Sequence, residues 1–224
     1  MKLSPAEKGK VVSCCNDNLI SDYGFDPDRE YPLSPYRREK LKRQKNDLAR
    51  KQGLGAELLL IKALEAAAPE LLPPLDISCG KDGKPELVGS GIFFNLSHSG
   101  NYAACAVSDS PIGLDIQTER DFNKGIAEKY FTDPERRFFE ESENKAYAFT
   151  KLWSMKESAV KYIGTGLKTP LTSFSVDSEK GEALLCGQRL FFHHSIIDGC
   201  HLALCSGDCA AVRKIKINEV KLLP

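Results

Sequence analysis

Glu157 and Lys161 are four residues apart in a stretch whose pattern is typical of a helix. Residues 149–162 contain no Gly or Pro, and their apolar members recur at roughly helical spacing. In a helix, Trp153 would share a face with Glu157 and Lys161 and anchor it in the core. A carboxylate beside an ammonium group can hold a divalent metal and a phosphate together. The alternative is an ordinary surface ion pair, which contributes only about 0.3–0.5 kcal/mol.

A second carboxylate lies in residues 112–117, whose alternation predicts a strand. One face of this strand would carry the apolar residues Ile112, Leu114 and Ile116, and the other Gly113, Asp115 and Gln117. A carboxylate at the centre of a strand is costly unless it is paired or bound to a metal. Asp115 and Gln117 therefore form a candidate half-site for Mg²⁺, with Glu157 completing it. The alternative for Asp115 is a strand end at the surface.

A basic segment at residues 36–45 predicts a helix that binds an anion. Ser34 and Pro35 form the start of a helix, and Arg37 and Lys40 then share a face. In a chain of zero net charge, such a concentration of basic residues favours a phosphate ligand. The alternative is a solvated helix face.

The Ser-His-Ser of residues 97–99 follows a predicted strand and can also contact phosphate through hydroxyl, amide and imidazole groups. An equally good alternative for His98 is a histidine hydrogen-bonded within a turn.

The composition of the 224 residues is that of an ordinary soluble protein, with 42% hydrophobic and 28% charged residues. Zero net charge argues against a nucleic-acid partner bound by bulk charge. No apolar run approaches the roughly 20 residues of a membrane span, and no signal peptide is recognisable, so we expect a cytoplasmic protein without a membrane partner.

Among the 8 cysteines there is no Cys-x-x-Cys pair. A zinc site of Cys200, His201, Cys205 and Cys209 is a weak alternative to small buried hydrophobes in a reducing compartment.

The order of predicted elements indicates two halves, residues 1–108 and 109–224, separated by a turn at 108–111. Each half carries strands and a long helix. In the first half we predict a strand at 11–15 and a core helix at 56–68. In the second half, five strand patterns, the last at 214–217, predict an antiparallel sheet.

Several of these segments together resemble the Sfp-type 4′-phosphopantetheinyl transferases. Its motifs lie between about residue 34 and residue 176, and the resemblance fades before residue 34 and after residue 210. It is carried by five motifs in the family's order: residues 34–40 (SPYRREK), 83–85 (GKP), 94–100 (FNLSHSG), 112–116 (IGLDI) and 152–158 (LWSMKES). The loop at 164–176 also resembles the family.

The resemblance implies an α+β fold of two similar halves related by a pseudo-twofold axis, with coenzyme A and Mg²⁺ bound between them. The implied activity is transfer of the 4′-phosphopantetheine group of coenzyme A to a serine hydroxyl of an apo acyl or peptidyl carrier protein, releasing adenosine 3′,5′-bisphosphate. The chain length fits this two-half type, for which we expect a monomer, rather than the shorter trimeric holo-acyl-carrier-protein synthases.

The family's catalytic roles correspond to Asp115, Glu157 and Lys161. Asp115 and Glu157 resemble the Mg²⁺ ligands, Glu157 is also the candidate base for the incoming serine, and Lys161 is expected to contact the diphosphate. Many relatives carry Glu where this chain has Gln117, so either the amide or a water completes the Mg²⁺ shell. Lys156 is adjacent to Glu157 on the predicted helix and therefore projects in a different direction, so we assign it no catalytic role.

The family's substrate-binding roles correspond to residues of the first half. The 3′-phosphate of coenzyme A is assigned to Arg37, Lys40 and His98, with Lys51 assisting, and the nucleotide pocket to Lys84, Pro85 and Ser97. Two other functions stay open: a module that binds coenzyme A or a carrier protein without transfer, and a zinc-bound interaction domain.

Overall fold

The computed structural model describes residues 10–16, 31–213 and 215–219. The chain separates into two compact units, which are residues 1–110 with 214–224 (unit 1) and residues 111–213 (unit 2). Each unit contains both helices and strands, so the predicted α+β class is confirmed. Among the described residues, no helix combines the length and the apolar character needed to span a membrane.

Unit 1 is built on a four-stranded sheet with a separate hairpin. Its strands are β1 (Lys10–Asn16), β2 (Ile77–Cys79), β3 (Pro85–Leu87), β4 (Phe93–Ser99), β5 (Tyr102–Ser108) and β11 (Ile215–Glu219). The sheet order is β11-β1-β5-β4, and β2 pairs with β3. The predicted strand at 11–15 is confirmed as β1. The last predicted strand, which we placed in the second half, instead pairs in parallel with β1 and belongs to unit 1.

Two helices complete unit 1, α1 (Pro35–Arg43) and α2 (Asp47–Ala67). Helix α1 starts as predicted, since the hydroxyl of Ser34 accepts a hydrogen bond from the backbone N–H of Arg37 at 3.1 Å. Helix α2 packs its apolar face against β4 and β5. The buried side chains of this core include Leu59, Leu60, Leu64, Phe94, Ala103, Cys105 and Val107.

Helix α2 begins nine residues before the predicted start at residue 56, because Asn46 caps it by accepting from the backbone N–H of Ala49. Gly53 and Gly55, which precede the predicted start, lie inside the helix. A Cβ atom at Gly53 would lie 3.1 Å from the Leu41 side chain, so glycine here allows α1 to pack closely against α2.

Unit 2 combines an antiparallel sheet with four helices among its described residues. Its strands are β6 (Gly113–Thr118), β7 (Val176–Asp177), β8 (Glu182–Leu185), β9 (Gln188–Ile197) and β10 (Cys200–Ser206), in the order β6-β10-β9-β8-β7. Its helices are α3 (Lys124–Tyr130), α4 (Asp133–Glu141), α5 (Lys145–Ile163) and α6 (Cys209–Arg213). All its neighbouring strands are antiparallel, which confirms the predicted sheet for four of its five predicted strands.

Helix α5 carries the apolar core of unit 2 on one side. Phe149, Leu152 and Met155 are buried against aromatic rings from the two preceding helices and their connection. Phe131 lies edge-on to Phe139, with their ring centroids 4.8 Å apart. Such aromatic pairs add about 0.5–1.5 kcal/mol beyond the area that they bury. The same cluster includes Leu190, Phe192 and Ala203 of the sheet, and it fixes the apolar side of α5.

The other side of α5 lies directly on β6 at Gly113. A Cβ atom at Gly113 would overlap the backbone carbonyl oxygen of Ser158 and the backbone of Tyr162. Gly113 and Asp115 are two residues apart on the strand and so project to the same face. The close contact therefore sets Asp115 beneath the C-terminal half of α5.

We predict that Gly113→Ala destabilises the protein by about 1–3 kcal/mol, the usual cost of forcing extra atoms into a packed interface. The atoms that the new methyl group meets belong to the helix backbone, which cannot turn aside as a flexible side chain can. Denaturant unfolding monitored by circular dichroism measures the change.

Gly125→Ala is the matched control for this substitution. A Cβ atom there would meet Asn123 at 3.5 Å, an ordinary van der Waals distance, so the free energy of unfolding should change by less than about 0.5 kcal/mol. Equal stability of the two variants would show that α5 does not lie as close to β6 as described.

Candidate active site

An ion pair between β6 and α5 forms the centre of the site in unit 2. The Nζ atom of Lys161 donates to Oδ1 of Asp115 at 2.6 Å. The side chain of Asp115 is 3% exposed and that of Lys161 is 29% exposed. The second oxygen of Asp115, Oδ2, accepts from Nε2 of Gln117 at 3.0 Å. The predicted common face of Asp115 and Gln117 is therefore observed, and both oxygens of Asp115 are held in place.

Glu157 lies one helical turn before Lys161 and is partly buried. Burial raises the pKa of the Glu157 carboxyl above its usual value, and the negative charge of Asp115 raises it further. The ammonium group of Lys161 opposes this and lowers the pKa. Two carboxylates and one ammonium group thus influence one another at the β6–α5 contact, a place where a further cation would be stabilised.

The donor set at this contact suits a hard divalent cation. Asp115 and Glu157 provide carboxylate oxygens and Gln117 an amide group, which are ligands of the type that Mg²⁺ accepts together with water. Within the described ranges, no group of three or more His, Cys, Asp or Glu side chains is arranged to hold a metal ion. A magnesium ion here would therefore use the two carboxylates, with the remaining positions filled by the amide, water or substrate oxygens.

Trp153 occupies the same helix two turns before Lys161. Its partly buried ring packs edge-on against Tyr130, with the ring centroids 5.7 Å apart. The ring also stacks against that of Phe149. Trp153 thus anchors α5 in the aromatic core as we expected.

The predicted phosphate-binding residues of α1 differ in their surroundings. Arg37 is almost entirely buried, and its Nε donates to Oε2 of Glu57 at 3.2 Å. Glu57 also accepts from the backbone N–H of Ser34, at 2.5 Å, and so fixes the start of α1. Lys40 is exposed, and its Nζ contacts the hydroxyl of Tyr36 at 2.9 Å. Arg37 is thus held in a fixed orientation, whereas Lys40 lies in solvent.

The sequence prediction did not include Glu57 as a partner of Arg37, although the sequence contains an indication of it. Glu57 is a charged residue within the apolar pattern of α2, between Leu54 and Leu59, and its side chain is 0% exposed. A carboxylate in that position requires a buried partner, and Arg37 provides it.

The remaining predicted binding residues of unit 1 lie on different surfaces. Ser97 is buried and His98 is exposed, because neighbouring residues of β4 project to opposite faces of the sheet. Their side chains therefore do not share one surface. Lys84 and Pro85, at the start of β3, and Lys51, on α2, are partly exposed.

Of the four residues for which we considered zinc, His201 belongs to a histidine cluster. Nδ1 of His201 lies 3.1 Å from Nε2 of His194, and Nε2 of His201 lies 3.4 Å from a carboxylate oxygen of Glu119. Both ring nitrogens of the fully buried His201 thus face side-chain partners. Burial, together with the charge of Asp198, raises the pKa of the Cys200 thiol to about 11. Cys200 is therefore a protonated core residue rather than a ready thiolate ligand.

The sequences of known proteins match the part of the chain that contains this site. The sequence profile of the 4′-phosphopantetheinyl transferase superfamily matches residues 111–205. The chain is 37% identical over 151 residues to a 4′-phosphopantetheinyl transferase of Bacillus subtilis, a match that covers 64% of this chain and 66% of that protein. It is 33% identical over 141 residues to the 4′-phosphopantetheinyl transferase AcpT of Salmonella typhi, covering 60% of this chain and 68% of AcpT.

A third relative, the 4′-phosphopantetheinyl transferase Sfp of Bacillus subtilis (strain 168), is 39% identical over 99 residues, which are 43% of each chain. The matched segments thus span between 43% and 68% of the length of these three curated relatives. The crystal structure of Thermotoga maritima holo-[acyl-carrier-protein] synthase (AcpS) aligns with 42% of this chain and 61% of its own, with a TM-score of 0.33 and 19% identity.

We predict that the histidine cluster makes the protein sensitive to acid. Burial, with the positive charges of His201, Lys151 and His193, lowers the pKa of His194 to about 3, from an ordinary value near 6.5. Burial also lowers the pKa of His201, although Glu119 opposes the shift. Between about pH 6.5 and pH 3 the unfolded chain binds protons that the folded protein excludes, so stability is present above pH 6.5 and is lost as the pH falls.

His194→Gln should flatten this dependence, by at most about 1.4 kcal/mol per pH unit, the slope for one proton. Urea unfolding at several pH values from 7 to 4 compares the variant with the parent protein. Ser195→Ala, at the next residue of β9, removes no titratable group and is the control, which should keep the parental slope. An unchanged slope in His194→Gln would exclude His194 as a source of the acid sensitivity.

Proposed function

Because the chain belongs to the 4′-phosphopantetheinyl transferase superfamily, we propose that it transfers the 4′-phosphopantetheine group of coenzyme A to a serine hydroxyl of an apo acyl or peptidyl carrier protein. The serine oxygen would form a bond to the phosphorus that carries pantetheine, and adenosine 3′,5′-bisphosphate would leave. The observation that most supports the proposal is the Asp115–Lys161 pair with Glu157 beside it, inside the segment that matches the family.

Asp115, Glu157 and, directly or through a water, Gln117 would hold Mg²⁺ in this reaction. When bound, Mg²⁺ would supply charge neutralisation at the diphosphate and its leaving group. Asp115 is already oriented for this role, because Lys161 and Gln117 fix its two oxygens.

Glu157 is the proposed base that accepts the proton of the serine hydroxyl. A carboxylate is a stronger base when its pKa lies above the usual range, and burial and Asp115 both act in that direction at Glu157. Lys161 would contact the diphosphate with its ammonium group, since a phosphate oxygen is an acceptor of the same kind as the Asp115 carboxylate that it contacts here.

The nucleotide end of coenzyme A would be bound by unit 1. Arg37, Lys40 and His98, assisted by Lys51, are proposed to bind the 3′-phosphate, and Lys84, Pro85 and Ser97 to line the nucleotide pocket. The orientation of Arg37 by Glu57 supports its part in this proposal. A guanidinium group held through Nε keeps its terminal nitrogens in a fixed plane, which favours binding of a phosphate.

The direct test is a transfer assay with coenzyme A, Mg²⁺ and a panel of purified apo carrier proteins, in which mass spectrometry detects the added group. Glu157→Gln, which keeps the shape of the side chain, should lower kcat by about 10²–10⁴-fold, the scale for a positioned base. Omission of Mg²⁺ should abolish transfer.

Glu65→Gln serves as the control because Glu65 is an exposed glutamate on α2 whose partner is Lys62. It should transfer at the parental rate. Coenzyme A binding without transfer to any carrier would favour a binding module instead, and normal turnover by Glu157→Gln would remove Glu157 from the mechanism.

Two lysines of α1 allow a matched test of the 3′-phosphate assignment, since Lys40 and Lys42 are both exposed. Arg37 is less suitable, because its removal leaves the buried carboxylate of Glu57 without a partner. We predict that Lys40→Ala raises KM for coenzyme A about tenfold, the equivalent of ~1.4 kcal/mol, and leaves KM for dephospho-coenzyme A unchanged.

Lys42→Ala removes the same charge from the same helix, but Lys42 is paired with Glu39 at 2.8 Å. It should change neither KM. Steady-state kinetics with both donors gives the comparison, and equal losses of affinity for the two donors in Lys40→Ala would place the 3′-phosphate away from Lys40.

A further inference from the structure

Lys156, the neighbour of Glu157, is the centre of a buried hydrogen-bond network that the mechanism above does not use. Its Nζ donates to both carboxylate oxygens of Glu135, at 2.7 and 2.8 Å, and to the carbonyl oxygen of Phe174 at 2.7 Å. The ammonium group can donate three hydrogen bonds, and all three are made. The side chains of Lys156 and Glu135 are 0% and 1% exposed.

Glu135 extends this network to two further backbone segments. Its Oε2 accepts from the backbone N–H and the hydroxyl of Thr132, which caps α4, at 2.8 and 2.9 Å. Its Oε1 accepts from the backbone N–H of Val176, the first residue of β7, at 2.8 Å. One carboxylate and one ammonium group thus join α4, α5 and the chain entering β7.

A buried pair of this kind is not explained by stability alone. Desolvation of two charges offsets much of their attraction, and replacing such a pair by apolar groups is often neutral. Burial lowers the pKa of Lys156, although Glu135 opposes the shift. The hydrogen bonds do, however, require a particular arrangement of the three segments, and a purely apolar contact would not.

The arrangement matters for the active site because Lys156 and Glu157 are consecutive residues of α5. Consecutive residues of a helix point about 100° apart, so fixing the direction of one fixes the other. The contact at Gly113 sets how close α5 lies to β6. The Lys156 network acts from another side of α5, where it opposes rotation about the helix axis.

We propose that Lys156 and Glu135 are positioning residues, which fix the rotation of α5 and so hold Glu157 and Lys161 opposite Asp115. The proposal rests on the proposed function for its catalytic consequence. Neither residue contacts substrate. Their effect acts through the geometry of Asp115, Glu157 and Lys161, where a displacement of about 1 Å is enough to lower a rate by 10²-fold.

Lys156→Met tests the proposal, since methionine has a similar length and no charge. We expect kcat for transfer to fall about 10–100-fold, the Mg²⁺ concentration for half-maximal activity to rise, and KM for coenzyme A to stay within about twofold. If this variant does not fold, Lys156→Met combined with Glu135→Gln removes both charges and should show the same pattern of kinetic changes.

Leu190→Ala is the control for loss of stability. Leu190 is a fully buried core residue of β9, so its truncation destabilises the fold but removes none of the hydrogen bonds of the network. Assayed well below its unfolding temperature, this variant should keep the parental kcat and Mg²⁺ dependence. If Lys156→Met matches Leu190→Ala in both quantities, Lys156 has a structural role only and the proposal is wrong.

Hydrogen exchange provides a readout that does not need transfer activity. Amides at residues 157–163 should exchange faster in Lys156→Met than in Leu190→Ala, with the two compared at equal free energy of unfolding. Absence of transfer by the parent protein would overturn the proposed function and leave this measurement valid. Equal exchange in the two variants would overturn the positioning role itself.

Discussion

The geometry of the candidate site depends on the close contact between α5 and β6 at Gly113. Because this residue has no Cβ atom, the backbone at Ser158 and Tyr162 can lie directly on the strand. Two residues further along β6, Asp115 then comes within 2.6 Å of Lys161. A side chain at position 113 would separate the two elements and move Asp115 away from the helix residues with which it interacts. A glycine, which has no side chain, thus controls where three charged groups meet.

Helix α5 places its charged residues in contrasting electrostatic environments. Lys156 is buried and fully paired with Glu135, so its charge is balanced and its position fixed. Lys161 is partly exposed and paired with Asp115, a carboxylate that a bound cation could also use. Glu157 lies between them in sequence, and its pKa is raised by burial and by Asp115. The first environment favours rigidity, whereas the other two leave charges that can change partners when a ligand binds.

The sequence predicted those features that depend on the periodicity of a single element. The four-residue spacing in α5, the alternation in β6 and the cap of α1 each follow from local rules, and each was observed. Partners from distant parts of the chain were not predictable in this way. Arg37 pairs with Glu57 and Lys156 with Glu135, and β1 pairs with a strand near the other end of the chain. Periodicity indicates which face of an element is buried, but it does not identify the side chain that lies across from it.

Two of the cations proposed to bind phosphate share one property that the sequence did not reveal. Arg37 and Lys161 each already contact a buried carboxylate, Glu57 and Asp115 respectively. A long cationic side chain held in this way loses less conformational freedom on binding than one in solvent. Its charge is also partly balanced before a ligand arrives, so a phosphate must gain its affinity from the orientation of the donors as well as from net attraction. That arrangement is consistent with a chain whose formal net charge is zero, because fixed donors, rather than an excess of positive charge, would select the ligand.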